Sequence, residues 1–171
     1  ALRGSVQNGF RAPSLQQQYF ATTSTTFING VPFDIATFPV TDPVAEALGA
    51  EPLDAETSVN LSLGAVLRFG DLVITADAYH IEIDDRIVLS ENLTQANVRE
   101  YLESQGFAGV GGGRFFINGV DTETTGVDIV ANYSFPDMAI GKIDLTFGAN
   151  FSETDVTRVP ATPVLTALTP A

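Results

Sequence analysis

The chain has 171 residues, 44% of them hydrophobic, with 21 Asp+Glu against 8 Lys+Arg, one His, no Cys and no Trp. A net charge of −13 and a single Lys, Lys142, exclude a nucleic-acid partner bound through its phosphates and a polybasic membrane-surface patch. Zero Cys removes disulfides, thiolate metal sites and Cys nucleophiles, a mean hydropathy of +0.17 excludes an acidic disordered tail, and no apolar run reaches the roughly 18 residues of a transmembrane helix.

In chain order, Leu2 to Asn8 alternates weakly between apolar and polar residues, as a strand does. A long connection of about 45 residues, from Phe10 to Asp54, follows. Within it Asp42 caps a short helix that has Pro43 at its first position and stops at Gly49. Phe20, Phe27, Phe33 and Phe38 lie among Thr residues there and are expected to pack the loop on itself. From Val59 the odd positions Val59, Leu61, Leu63, Ala65, Leu67 and Phe69 are apolar. The even positions Asn60, Ser62, Gly64 and Arg68 are polar or small, and only Val66 breaks that row. Gly70-Asp71 marks a tight hairpin.

Leu72 to Leu89 is also strand-like, but the apolar role passes from Leu72, Ile74, Ala76 and Ala78 to Tyr79, Ile81 and Ile83. A β-bulge near Asp77–His80 accounts for the swap, and so does a change of surroundings along one regular strand. A second long connection, of about 30 residues, runs from Ser90 to Gly119. It holds a helix from Thr94 to Gln105, capped by Thr94, stopped by Gly106, and stapled by Leu93 against Val98. Val98, Tyr101 and Leu102 give that helix a narrow apolar stripe, and Gly109 to Gly113 reads as a flexible hinge. Two alternating runs follow. The first sets Val127, Ile129, Ala131, Tyr133 and Phe135 against Gly126, Asp128, Val130, Asn132 and Ser134. The second sets Ile143, Leu145, Phe147, Ala149 and Phe151 against Lys142, Asp144, Thr146, Asn150 and Ser152. A short turn from Pro136 to Gly141 joins them, and a third long connection begins near Thr157. Asn60, Arg68, Asp144 and Asn150 are therefore expected on the face opposite Leu61, Leu63, Leu145 and Phe147.

Catalytic signals are weak. His80 has no Ser or Cys at a telling spacing, and no Gly-x-Ser-x-Gly elbow is present. Glu82, Asp84, Asp85 and Arg86 read as a solvated ion-pair network rather than as a glycosidase carboxylate pair or a calcium loop. Gly109 to Arg114 lacks the Lys-Ser/Thr ending of a phosphate loop. Three glycosylation sequons, at Asn60, Asn92 and Asn150, are chance matches, since two of these Asn lie inside strands. No catalytic, cofactor-binding or metal-ligating residue is expected, and the residues that contact substrate are not legible. Short and long connections alternate, which is unusual in a compact soluble domain and regular in an outer-membrane barrel. A soluble β-sandwich binding module, such as an adhesin or carbohydrate-binding domain, uses the same strand alternation.

Four segments resemble TonB-dependent outer-membrane receptors. Ser5, Gly9, Phe10, Arg11, Ala12, Pro13 and Ser14 match a strand-end motif of the form S-x-x-x-G-F-R-A-P-S. Glu56, Ser58 and Asn60, followed by Gly64, resemble the descending strand E-x-S-x-N…G. Tyr79, Ile81, Ile83, Asp85, Arg86 and Ile87 resemble the ascending strand Y-x-I-x-I-x-D-R-I. Thr125-Gly126-Val127-Asp128 is similar to the next descending strand. The resemblance implies an all-β fold: an antiparallel meander of about five strands from a transmembrane β-barrel of about 22, with short helices in the long loops. Residues 1–171 are then expected to be a partial barrel domain, without the plug domain and the C-terminal closing strand. The implied function is active uptake of a scarce nutrient of the siderophore, vitamin or carbohydrate class across the bacterial outer membrane. The implied partners are that nutrient, as a metal chelate or oligosaccharide, an energy-coupling inner-membrane complex acting through the plug, and outer-membrane lipid. Tyr133, Phe135 and Phe69 would form an aromatic girdle at the periplasmic boundary. In isolation the chain is expected to self-associate through its apolar row.

Overall fold

The computed structural model describes residues 1–28, 31–138, 141–159 and 167. The elements run β1 (Leu2–Arg11), α1 (Leu15–Tyr19), β2 (Thr22–Ile28), β3 (Val31–Thr37), α2 (Pro43–Ala47), β4 (Glu56–Phe69), β5 (Leu72–Leu89), α3 (Ala96–Ser104), β6 (Gly113–Arg114), β7 (Phe116–Met138) and β8 (Gly141–Arg158). The long strands form a five-stranded sheet in the order β1-β4-β5-β7-β8, and β2, β3 and β6 form a separate small one. The all-β antiparallel meander is therefore present. The described chain divides into two compact units: Ala1–Gly9 with Thr57–Asp84 and Thr122–Thr157, and Phe10–Glu56 with Asp85–Asp121 and Arg158–Ala171.

In the first unit, alternation and backbone pairing agree along most of the sheet. β4 and β5 pair without interruption from Phe69↔Leu72 to Thr57↔Asp84. Gly70 turns the hairpin at φ 61°, a value that glycine adopts without strain. Ala1 and Val66 exchange backbone hydrogen bonds of 2.8 Å, which sets β1 antiparallel to β4. The uninterrupted register decides between the two readings of this strand, against a bulge near Asp77–His80 and for a change of surroundings. Tyr79, Ile81 and Ile83 stay on one face, opposite Ser62, Asn60 and Ser58, while His80 and Glu82 share the other with Leu61 and Val59. A ladder of backbone hydrogen bonds outweighs the side-chain pattern, so the surroundings change and the strand does not. The backbone departs from strand geometry further on, at Asp85, whose φ is 54°. Its N–H is donated to the Asp121 carboxylate at 2.9 Å.

Asn60, Arg68, Asp144 and Asn150 do lie opposite Leu61, Leu63, Leu145 and Phe147. The latter row is bare: Leu63 and Phe147 are each 66% exposed. No second sheet stands among the described residues of this unit, so the two-sheet core of a sandwich is not formed there.

In the second unit, the long connections build a core of their own. Leu48, Leu93, Val98, Leu102 and Phe115 are fully buried together. Asp42 caps α2 by accepting the Val44 N–H at 2.9 Å, and Gly49, at φ 94°, follows the helix end, as expected. α3 begins one residue later than expected. Gln95 is its N-cap, without a side-chain cap bond, and the Thr94 carbonyl instead accepts from Arg99 at 2.5 Å. Leu93 and Val98 share the core, as a staple requires. The hinge expected at Gly109–Gly113 is locked at its end. Gly113 exchanges backbone bonds with Leu93, and a Cβ on Gly113 would come within 2.4 Å of the Phe38 ring. Phe38 packs on the core, whereas Phe20 and Phe27 are exposed and the Phe33 side chain lies outside the described residues. Two elements escape the sequence pattern: α1, with a Ser14–Gln17 capping box, and the β2–β3 hairpin closed by Ile28↔Val31. Residues 139–140 of the expected Pro136–Gly141 turn are outside the described ones.

Candidate functional site

The polar face of the first unit is a continuous hydrogen-bonded wall. Arg3 donates to both Asp77 oxygens, Nε at 2.8 Å from Oδ1 and Nη2 to Oδ2. Gly64 makes room for that pair, since a Cβ there would meet Asp77 Oδ1 at 2.0 Å and Arg3 Nε at 2.7 Å. The Ser5 and Ser62 hydroxyls meet at 2.8 Å. The Tyr79 ring lies against Gly126, where a Cβ would approach it to 2.3 Å. Asn150 Nδ2 donates to Asp128 at 2.5 Å and to the Tyr79 hydroxyl at 3.4 Å. Thr146 donates to Asn132 at 2.7 Å, Ser134 to Asp144 at 2.6 Å, and Lys142 pairs with Asp144 at 3.1 Å. Each exposed pair contributes little, up to about 1 kcal/mol. Their joint effect is a surface of hydroxyl, carboxamide and carboxylate groups on which Arg3 offsets the charge of Asp77 and Lys142 that of Asp144.

On the apolar face, His80 Nε2 is 3.1 Å from Glu82, and Nδ1 is 3.2 Å from the Thr125 hydroxyl and 3.6 Å from Glu123. Hydroxyl, imidazole and carboxylate thus stand in line, the order of an acyl-transfer relay. The site sits on strands inside the sheet order whose N–H groups serve the ladder, so among the described residues no pair of donors is set aside for a developing oxyanion. The acidic run after His80 is divided by strand alternation: Glu82 meets His80, and Asp85 meets Arg158 at 2.7 Å.

Two polar knots, one around the buried Glu56 and one around the exposed Arg158, hold the second unit. Glu56, 8% exposed, accepts from Arg11 at 2.5 Å and from the Ile87 N–H at 2.8 Å. Arg158 donates to Asp85 and to both Asp121 oxygens, one of them at 2.9 Å. Asp121 belongs to the stretch of β7 beyond the apolar alternation. Arg158, and then the Asp85 N–H, hold its carboxyl below the usual carboxylate range. Asn118 ties this knot to the start of β4, bonding both backbone groups of Asp54, at 2.9 and 3.0 Å, and the Asp85 carbonyl at 2.7 Å. Sequence reading missed Asn118 and Arg158, because their partners are 33 to 73 residues away. A groove of about 440 Å³ in this unit is lined by Arg11, Ser14, Gln16, Gln17 and Phe116.

The family model for the β-barrel of TonB dependent receptor-like proteins matches residues 1–167. No individual curated protein matches the chain. The family match spans the five-stranded sheet and the packed connections alike, and its members are receptors and transporters of the bacterial outer membrane rather than catalysts. The chain belongs to the TonB-dependent receptor β-barrel family.

Proposed function

We propose that these residues form part of the wall of a receptor for active uptake of a scarce nutrient, a siderophore, vitamin or carbohydrate. The polar face lines the lumen, the apolar face meets lipid, and the long connections face the outside of the cell. Energy comes from an inner-membrane complex acting through a plug in the full-length receptor. One observation carries this reading: a single sheet has a bare apolar face of Leu61, Leu63, Leu145, Phe147 and Phe151 and a cross-bonded polar one. Only a solvent apolar on one side and aqueous on the other suits both. Tyr133 and Phe135, with ring centroids 4.5 Å apart, stand with Phe69 at the short-turn end, where aromatic side chains favour a membrane boundary.

The test uses single cysteines in the full-length receptor, labelled with a fluorophore and reconstituted with brominated lipid. A label at Leu145→Cys should be quenched and one at Asn132→Cys should not; equal quenching overturns the reading. Uptake of a ferric siderophore, a cobalamin and a malto-oligosaccharide, with and without collapse of the proton gradient, then separates the nutrient classes. Gradient-independent uptake of all three would remove the energy-coupled role.

A further inference from the structure

The small sheet of the second unit runs β2-β3-β6, so among the described residues it ends in two edges. One is covered: Gly113 of β6 exchanges backbone hydrogen bonds with Leu93, at 2.9 and 3.2 Å. The other is β2, seven residues without a charge or a proline, the devices that ordinarily keep an edge strand from pairing. Its described side chains are all exposed, Phe27 to 70%. Ile28 pairs with Val31 across two intervening residues, which makes theirs a hydrogen-bonded pair and sets the alternation along the strand. Thr22, Ser24, Thr26 and Ile28 therefore bond to β3, while Thr23 and Phe27 turn their N–H and C=O groups away from it. Pro32 fits this phase, because it stands opposite Phe27 and has no N–H to give.

We propose that β2 is a pairing edge at which two copies of the receptor join, strand to strand and antiparallel. A two-fold register that sets Thr23 against the second copy's Phe27 aligns outward groups with outward groups. The same register lays each Phe27 ring beside a β-branched side chain, a favourable cross-strand pair. Charge also favours a second copy at this place. Two chains of net charge −13 repel each other, and residues 12–33, the longest uncharged run in the sequence, let them meet without that cost. The inference rests on the outward placement of the long connections proposed above and gives the first of them a partner.

The test uses the full-length receptor in isolated outer membranes, in a background free of other cysteines. Thr23→Cys on one copy and Phe27→Cys on another, expressed together, should form a disulfide-linked pair on mild oxidation. Either variant expressed alone should give about tenfold less, because in this register the same residue of the two copies is about 13 Å apart. Thr23→Pro removes one outward N–H from each copy and none that serves β3. It should weaken the association of fluorescently labelled receptors in vesicles about tenfold. No mixed pair, equal yields from the single variants, cross-linking at Leu63→Cys on the bare face instead, or unchanged association of Thr23→Pro overturns the proposal. Reaction of Thr22→Cys with a membrane-impermeant thiol reagent on intact cells reports the outward placement separately. Labelling there without the mixed pair sinks the pairing alone, and no labelling removes both.

Discussion

Val98 and Leu63 are both aliphatic residues on regular elements, yet one is 0% and the other 66% exposed. The comparison separates two ways of disposing of apolar surface. In the second unit, two helices and short strands enclose Leu48, Leu93, Val98, Leu102 and Phe115, so the connections supply their own interior. In the first unit, the chain lays its apolar residues along one face of a sheet, and none of that unit's described residues covers them. A long connection that carries its own core needs no help from the bilayer. A barrel wall is incomplete without it.

The largest effect that could break this comparison is Phe115→Ala. Emptying that core position should destabilise the second unit by about 3–5 kcal/mol. Amide exchange in α3 should then quicken by two orders of magnitude or more, while Phe147→Ala on the bare face leaves it unchanged. Similar exchange in the two variants would mean that the connections draw their stability from elsewhere. Next comes Phe151→Arg, which should cost about 2–4 kcal/mol of insertion because Phe151 stands on the bare apolar row well away from the short-turn boundary. Refolding into vesicles should fall sharply for it and little for Asn132→Arg; the reverse order would invert the assignment of faces. A smaller contrast sets Gly113→Ala, forced against the Phe38 ring at about 1–3 kcal/mol, beside Gly148→Ala, which meets nothing within 4 Å. Protease cleavage near residue 113 should rise only in the first.

The smallest effect concerns acid. The Asp121 carboxyl titrates lower in the folded protein than in the unfolded chain, because Arg158 and the Asp85 N–H favour its charged form. Its contribution is therefore complete above the ordinary value of 3.8 and is lost as the pH falls through its folded value. Asp121→Asn should flatten the acid loss of exchange protection in the second unit below that point. An unchanged acid profile would assign the loss to other carboxylates.

Much of the sheet was legible from residues alone, because β4 and β8 alternate cleanly and the Gly70-Asp71 hairpin carries its own turn signal. In β5 the sequence leaves a bulge and a regular strand both open, and the structure has the regular strand, with Ile81 and Ile83 on the polar face. Hydropathy records only what a side chain is, and a polar wall tolerates aliphatic residues between its hydrogen-bonded rungs. The β2–β3 hairpin was missed although Asn29-Gly30, a strong turn signal, separates its strands. Its first strand, Thr22–Ile28, is mostly Thr and Ser and lacks the apolar alternation that marks the long strands. The polar knots were beyond reach for another reason: Arg158 meets Asp85 only once the topology has brought β8 round, and no local pattern encodes that meeting.

The Arg11–Glu56 pair has a consequence for how such receptors diversify. The two residues stand at the departure and return of the first long connection, and the Ile87 N–H fixes Glu56 from the neighbouring strand. Stretches between them that lie outside the shared core, such as the exposed segment around Phe20 and Phe27, can be lengthened or replaced while the clasp keeps the entry and exit points. Selection acting on those stretches is thereby uncoupled from selection acting on the wall.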